Sequence, residues 1–266
     1  MKLNEFMAQH AVFILDELDR FLSARGSGNP NARKSLLTYY RKQGWIIPIR
    51  RGLYATVPAS GDSRSSPVDL YLVAAKLTPD AVLAYHTALE FHGKAYSVHT
   101  RLHYLSANKS MPLTFQGHKF IRAQMPPTLV TKGEEMFGVI RRNRSGIDLR
   151  VTSLERTLVN VLDRPDLASG WEEIWRSLES IEFFNLDQVI AYVLLLDNAT
   201  AKVKFFLEQH KEVLMVDDVH LKPLRRLRPR RPHYFVRSKR DDCRWVGDWN
   251  LMIPEEILNR SWKEVL

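Results

Sequence analysis

The stretch NPNARKSLLTYYRKQGWIIPIRRGLYATV, residues 29–57, decides how the first part of the chain is read. Asn29, Pro30 and Asn31 are helix-start residues. An Asn side chain can accept from the unpaired N–H groups of a first turn, and Pro is tolerated there because its missing N–H would have had no partner. The spacing of Leu36, Leu37 and Tyr40 then predicts a helix with one apolar stripe, which leaves Lys34, Ser35, Thr38, Arg41 and Lys42 on its other faces. Gly44 supplies a helix stop, and Trp45, Ile46, Ile47 and Ile49 are strand formers. Arg50, Arg51 and Gly52 read as a turn before the strand Leu53–Val57, so a basic-tipped hairpin follows the helix.

Charge sharpens this reading. Between Asp19 and Asp62 stand Arg20, Arg25, Arg33, Lys34, Arg41, Lys42, Arg50 and Arg51, with no acidic residue. A solvated helix face ordinarily mixes signs, whereas a long single-sign run on a helix and the turn beyond it suits a polyanion. The expectation is a winged helix-turn-helix over residues 1 to about 60. Asn31, Arg33, Lys34, Ser35 and Thr38 would lie nearest the bases of double-stranded DNA, and Arg41, Lys42, Arg50 and Arg51 on phosphates or in the minor groove. At Arg33 the stem could pack while only the guanidinium reaches outward.

The chain of 266 residues is too long for that module alone. PASGDSRSSP, residues 58–67, lacks large apolar side chains and reads as a linker, assigned to 61–67, before a larger mixed α/β domain over 68–266. The expected fold class is therefore α+β. Helices are expected before Arg25, with the second capped at Asp16, and then over Pro67–Leu77 and Asp80–Phe91. Strands are expected over Arg101–Ala107, Leu113–Ala123 and Phe137–Arg142. TSLE at 152–155 has the spacing of a capping box headed by Thr152, and further helices are expected over Trp171–Ser180, Leu186–Leu196 and Ala201–His210. From Lys222 to Arg240 the chain is again basic and free of acids, but Pro223, Pro229 and Pro232 prevent a single helix. Arg225, Arg226, Arg228, Arg230 and Arg231 form either a solvated loop or a second basic surface, and the nearby Tyr234, Phe235, Trp245 and Trp249 read as core.

Composition narrows the classes of function. Net charge is +9, with 39 Lys and Arg against 30 Asp and Glu, which favours an acidic partner. No stretch approaches the roughly 20 apolar residues of a membrane span and no signal-peptide pattern opens the chain, so a cytoplasmic location with no membrane partner is expected. Cys243 is the sole cysteine, which rules out an intrachain disulfide or a multi-cysteine zinc site. The adjacent pairs Glu134/Glu135, Asp217/Asp218 and Asp241/Asp242 would point to opposite faces of an extended chain. His86 and His92 miss the four-residue helical spacing, and His99 and His103 lie at a strand start, about 13 Å apart. No phosphate-cradling loop or nucleophile elbow occurs. The expectation is a protein that is not an enzyme and has no catalytic residue, metal or cofactor.

Four segments together resemble the AbiEi-type antitoxins of type IV toxin-antitoxin systems: IIPIRRGLYATVP (46–58), AYHTALEFHG (84–93), LRVTSLERTLVNVLDRP (149–165) and CRWVGDWNLMIPEEIL (243–258). The resemblance implies a transcriptional autorepressor whose winged helix binds inverted repeats in its own promoter. It also implies a second domain that counters a nucleotidyltransferase-like toxin without a stable complex. Other readings are a plain winged-helix regulator whose second domain binds a ligand or protein, and a DNA-directed enzyme with an unrecognised site.

Overall fold

The computed structural model describes residues 2–26, 29–57, 66–196, 200–227, 231–235 and 243–260. The architecture is mixed α+β. Two compact units interleave along the chain: Met1–Leu83, Thr100–Ala123 and Arg141–Val151 form one, and Ala84–His99, Gln124–Ile140 and Thr152–Leu266 the other. Residues 68–83, 100–123 and 141–151, which sequence placed in the second domain, thus pack with the N-terminal segment. Of the linker 61–67, positions 61–65 lie outside the described residues.

The first unit opens with α1 (Lys2–Gln9), β1 (Val12–Ile14), α2 (Leu15–Ser23), α3 (Pro30–Lys42), β2 (Ile46–Arg50) and β3 (Leu53–Thr56). The strands form an antiparallel sheet in the order β1-β3-β2. Leu3, Phe6, Phe13, Leu18, Leu22, Tyr40 and Ile46 form one buried cluster, with Met7, Phe21, Leu36, Leu37 and Tyr54 packed around it. The helices and the sheet of this segment therefore share a core. The expected cap at Asp16 is displaced: Ile14 precedes the helix, and Glu17 reaches back to accept from the Ile14 N–H at 2.9 Å. The apolar pair Val12 and Phe13 is drawn into the sheet, which moves the helix start to Leu15.

The same unit continues through α4 (Leu70–Ala75) and β4 (Val82–Leu83); α5 (His86–Phe91) belongs to the second unit. The helix expected over Asp80–Phe91 is thus split. Val82 and Leu83 are fully buried and pair with β5 (Arg101–Leu105), so their apolar run is a core strand rather than a helix face. Asp80 instead ties down a turn, accepting from Ser106 Oγ at 2.6 Å and from Ala107 N at 2.7 Å. Burial works against its charge, but the hydrogen bonds from Ser106, Asn108, Ala107 and Thr78 outweigh it and hold the carboxyl well below the usual carboxylate range. Leu113–Ala123 divides into β6 (Leu113–Phe115) and β7 (His118–Ala123). After α6 (Pro127–Lys132) come β8 (Val139–Arg144) and β9 (Ile147–Thr152), and the six strands lie in the order β6-β7-β5-β4-β9-β8. β5 pairs with β7 and β4 with β9 in parallel.

The second unit is built on α7 (Leu154–Asp163), α8 (Trp171–Glu179), α9 (Leu186–Leu196), α10 (Thr200–Gln209) and α11 (Asp218–Arg226). The cap of α7 is Ser153 rather than Thr152: Ser153 Oγ accepts from Arg156 N at 3.3 Å, while Thr152 Oγ1 lies 2.7 Å from Thr157 Oγ1. Arg156 is fully buried and donates to the carbonyls of Glu135 at 2.7 Å and Phe137 at 2.5 Å. Beside it Gly138, with φ 61°, leaves no room for a side chain, because a Cβ there would lie 2.9 Å from Arg156 Cβ. A small sheet closes this unit, with β10 (His233–Tyr234), β11 (Cys243–Val246) and β12 (Leu251–Pro254) in the order β10-β12-β11, followed by α12 (Glu255–Leu258). Phe235 and Trp249 are core, as expected. Tyr234 and Trp245 are exposed instead, because β10 and β11 flank β12 as edge strands.

Candidate nucleic-acid interface

α3 is held by both of its ends. Asn29 Oδ1 accepts from Asn31 N at 2.9 Å, Pro30 occupies the first turn, and Gly44 takes φ 74° just beyond the last turn. At about 100° per residue, Asn31, Lys34, Ser35, Thr38, Arg41 and Lys42 fall within an arc of about 120°. All six are exposed. Leu36, Leu37 and Tyr40 occupy the opposite arc and pack into the N-terminal core. The 13-residue helix is about 20 Å long, and its exposed face carries three cations and no carboxylate.

The hairpin adds a seventh exposed residue. Arg50 pairs with Leu53, which leaves Arg51 and Gly52 as the tip, and Gly52 adopts φ 82°. Arg51 is exposed there. Two of the residues expected at the interface are engaged within the unit. Arg33, half-buried on the packed side of α3, forms an ion pair with Asp19. Arg50 points away from the tip: it donates to Ser110 Oγ at 3.0 Å and to the Leu77 carbonyl, beside an open cleft of about 970 Å³ also lined by Glu17 and Lys76. Both are half-buried.

The second basic stretch is only partly described. Arg225 and Arg226 are exposed in the last turn of α11, Arg225 is paired with Asp218 at 3.3 Å, and Arg231 is exposed. Arg228 and Arg230 lie outside the described residues.

One further group of side chains converges in the second unit, and spacing along the chain did not reveal it. His86 Nε2 lies 3.0 Å from Glu173 Oε1, His99 Nε2 lies 3.9 Å from Glu173 Oε2, and the two imidazoles meet edge to face at 4.2 Å. Ser97 Oγ donates to Glu173 Oε2 at 2.5 Å and lies 3.0 Å from His99 Nε2. Burial opposes charge on His86, but the Glu90 and Glu173 carboxylates outweigh it and raise the pKa above the ordinary imidazole value. For Glu173, burial is outweighed by hydrogen bonds from Ser97 and His86, which keep the carboxyl below its ordinary value. The contributing segments are 87 residues apart for His86 and Glu173, so no local motif marks them.

No family model and no curated protein matches the chain. Its fold is that of a solved structure. The RV2827C protein from Mycobacterium tuberculosis superposes with a TM-score of 0.58 over 98% of this chain and 94% of that one, at 16% identity. At that identity the likeness is one of fold. No helix among the described residues is long and apolar enough to cross a membrane.

Proposed function

We propose that the chain is a sequence-specific double-stranded-DNA-binding regulator that acts through α3 and the β2–β3 hairpin. The observation that carries this reading is the exposed α3 face of Asn31, Lys34, Ser35, Thr38, Arg41 and Lys42, with Arg51 at the adjoining hairpin tip. The order helix, strand, helix, helix, hairpin, with the first strand added to the hairpin, supports reading this segment as a winged helix. A major groove about 12 Å wide admits one helix. Asn31 and Ser35, early in α3, have the chemistry to read base edges, while Arg41, Lys42 and Arg51 supply sequence-independent attraction to phosphates. Arg33 and Arg50 position the helix and hairpin in this scheme, since their guanidinium groups are engaged with Asp19 and with Leu77 and Ser110.

The finer reading is an autorepressor and antitoxin of the AbiEi type. Its support is the resemblance of residues 46–58, 84–93, 149–165 and 243–258 to that family. The DNA would then be the chain's own promoter with inverted repeats, and the functional counterpart a nucleotidyltransferase-like toxin met without a stable complex. A reporter fused to the upstream DNA is expected to be repressed by the intact chain and released by the double substitution Lys34→Ala and Ser35→Ala. Co-expression with the neighbouring gene is expected to restore growth. Repression that survives the double substitution contradicts the interface, and failure of rescue contradicts the antitoxin reading alone.

A further inference from the structure

We propose that His86, His99 and Glu173 form a binding site for one divalent transition cation of the zinc type, a site in the second unit that goes beyond the DNA-binding reading and does not depend on it. One ligand atom from each of the three residues lies within 4.8 Å of the others. Tetrahedral zinc with bonds of about 2.0–2.1 Å places its ligand atoms about 3.3 Å apart. The 3.0 Å between His86 Nε2 and Glu173 Oε1 already meets that geometry; His99 Nε2 lies 3.9 Å from the other oxygen, Oε2, and rotation of the partly exposed His99 closes what remains within the 4.8 Å set, at most about 1.5 Å. Two imidazole nitrogens and one carboxylate oxygen are a donor set suited to zinc, with a fourth position left for water or the Ser97 hydroxyl.

The surroundings support a cation. The side chains of His86, Glu90 and Glu173 are almost entirely buried, so two carboxylates share one imidazole away from solvent. Glu90 Oε1 lies 3.1 Å from His86 Nδ1 and also accepts from His99 N at 2.7 Å. Without a metal, His86 Nε2 donates to Glu173; a metal would take the place of that proton, and the Glu90 carboxylate beside Nδ1 then favours a proton on Nδ1, the arrangement found behind metal-bound histidines. The His86 Nδ1 contact lies off the hydrogen-bond axis, so a modest ring rotation toward a metal at Nε2 breaks no well-formed bond. His99, with its side chain 31% exposed, provides the route by which an ion enters.

The test is calorimetric titration of the untagged, metal-stripped full chain with zinc chloride, together with the visible spectrum of its cobalt(II) complex. The wild type is expected to bind one equivalent with the absorption of a four-coordinate cobalt site, and zinc is expected to raise its thermal unfolding midpoint. His99→Ala and Glu173→Gln are each expected to weaken binding at least about tenfold. His233→Ala, which removes an exposed histidine outside the cluster, is expected to bind as wild type does. If Glu173→Gln fails to fold, the partly exposed His99→Ala decides. Absence of stoichiometric binding by the wild type overturns the site, as does unchanged affinity in His99→Ala. In either case the cluster is a structural network in which His86 lies between the Glu90 and Glu173 carboxylates.

Discussion

In the proposed interface Arg51 supplies a phosphate contact from the hairpin tip, and its removal tests that role. Its guanidinium is exposed on a two-residue turn, so Arg51→Ala is expected to weaken binding on every DNA sequence and to lower the slope of log affinity against log salt by about 1. Arg33 is expected to behave differently. With its charge paired to Asp19, Arg33→Ala should lower stability through lost packing and leave Asp19 without its partner, while the salt slope changes little.

Two other residues test the fold itself. At Gly138 both the positive φ and the 2.9 Å approach to Arg156 exclude a side chain, and Gly138→Ala is expected to cost roughly 1–3 kcal/mol in urea unfolding, whereas a substitution at an unconstrained position would not. Asp80 sets a pH signature. Its carboxyl titrates lower in the folded chain than in the unfolded one, so its contribution is fully present above the unfolded value of about 3.9 and is lost as pH falls below it. The midpoint of thermal unfolding is expected to fall more steeply between pH 5 and pH 3 in wild type than in Asp80→Asn; parallel curves would contradict that role.

Among the elements, α3 depends on its first turn. Asn29→Ala removes the acceptor for Asn31 N and is expected to cost about 1 kcal/mol, seen as a lower unfolding midpoint. DNA affinity should fall with it, because fraying of that turn disorders Asn31. α3 and the hairpin were legible in the sequence because every signal that makes them is local: Asn29 and Pro30 at one end, Gly44 at the other, Gly52 in the turn. Elements whose definition is tertiary were not. Val82 and Leu83 look helical in isolation and become a strand only because β5 and β9 take up their backbone groups. Thr152 carries capping chemistry, but its hydroxyl lies against Thr157, and the cap falls to Ser153. α6 has six residues, too few for a periodic pattern to declare itself.

For the whole molecule, the order of strands in the large sheet was beyond the sequence, since its parallel pairings join segments separated by intervening helices, hairpins or loops. The His86–His99–Glu173 cluster was hidden for the same reason. The N-terminal segment is different, because its core is made from its own residues, Leu3 through Ile46. Polar ties join it to the rest of its unit, among them Lys76 to Glu17 at 2.5 Å. A chain lacking residues 1–66 loses those ties and is expected to unfold in one cooperative transition at a lower midpoint, and to bind no DNA. An aggregated fragment would show that the six-stranded sheet needs the N-terminal segment in order to fold.

The most direct measurement is a fluorescence-anisotropy titration of the intact chain against its own upstream duplex and a scrambled duplex at several salt concentrations. Log affinity for both duplexes is expected to fall linearly with log salt, and the upstream duplex to be bound more tightly by a margin that shrinks in Lys34→Ala and Ser35→Ala. No binding by the wild type at low salt, or equal affinity for both duplexes with no effect of those substitutions, would contradict the DNA-binding reading.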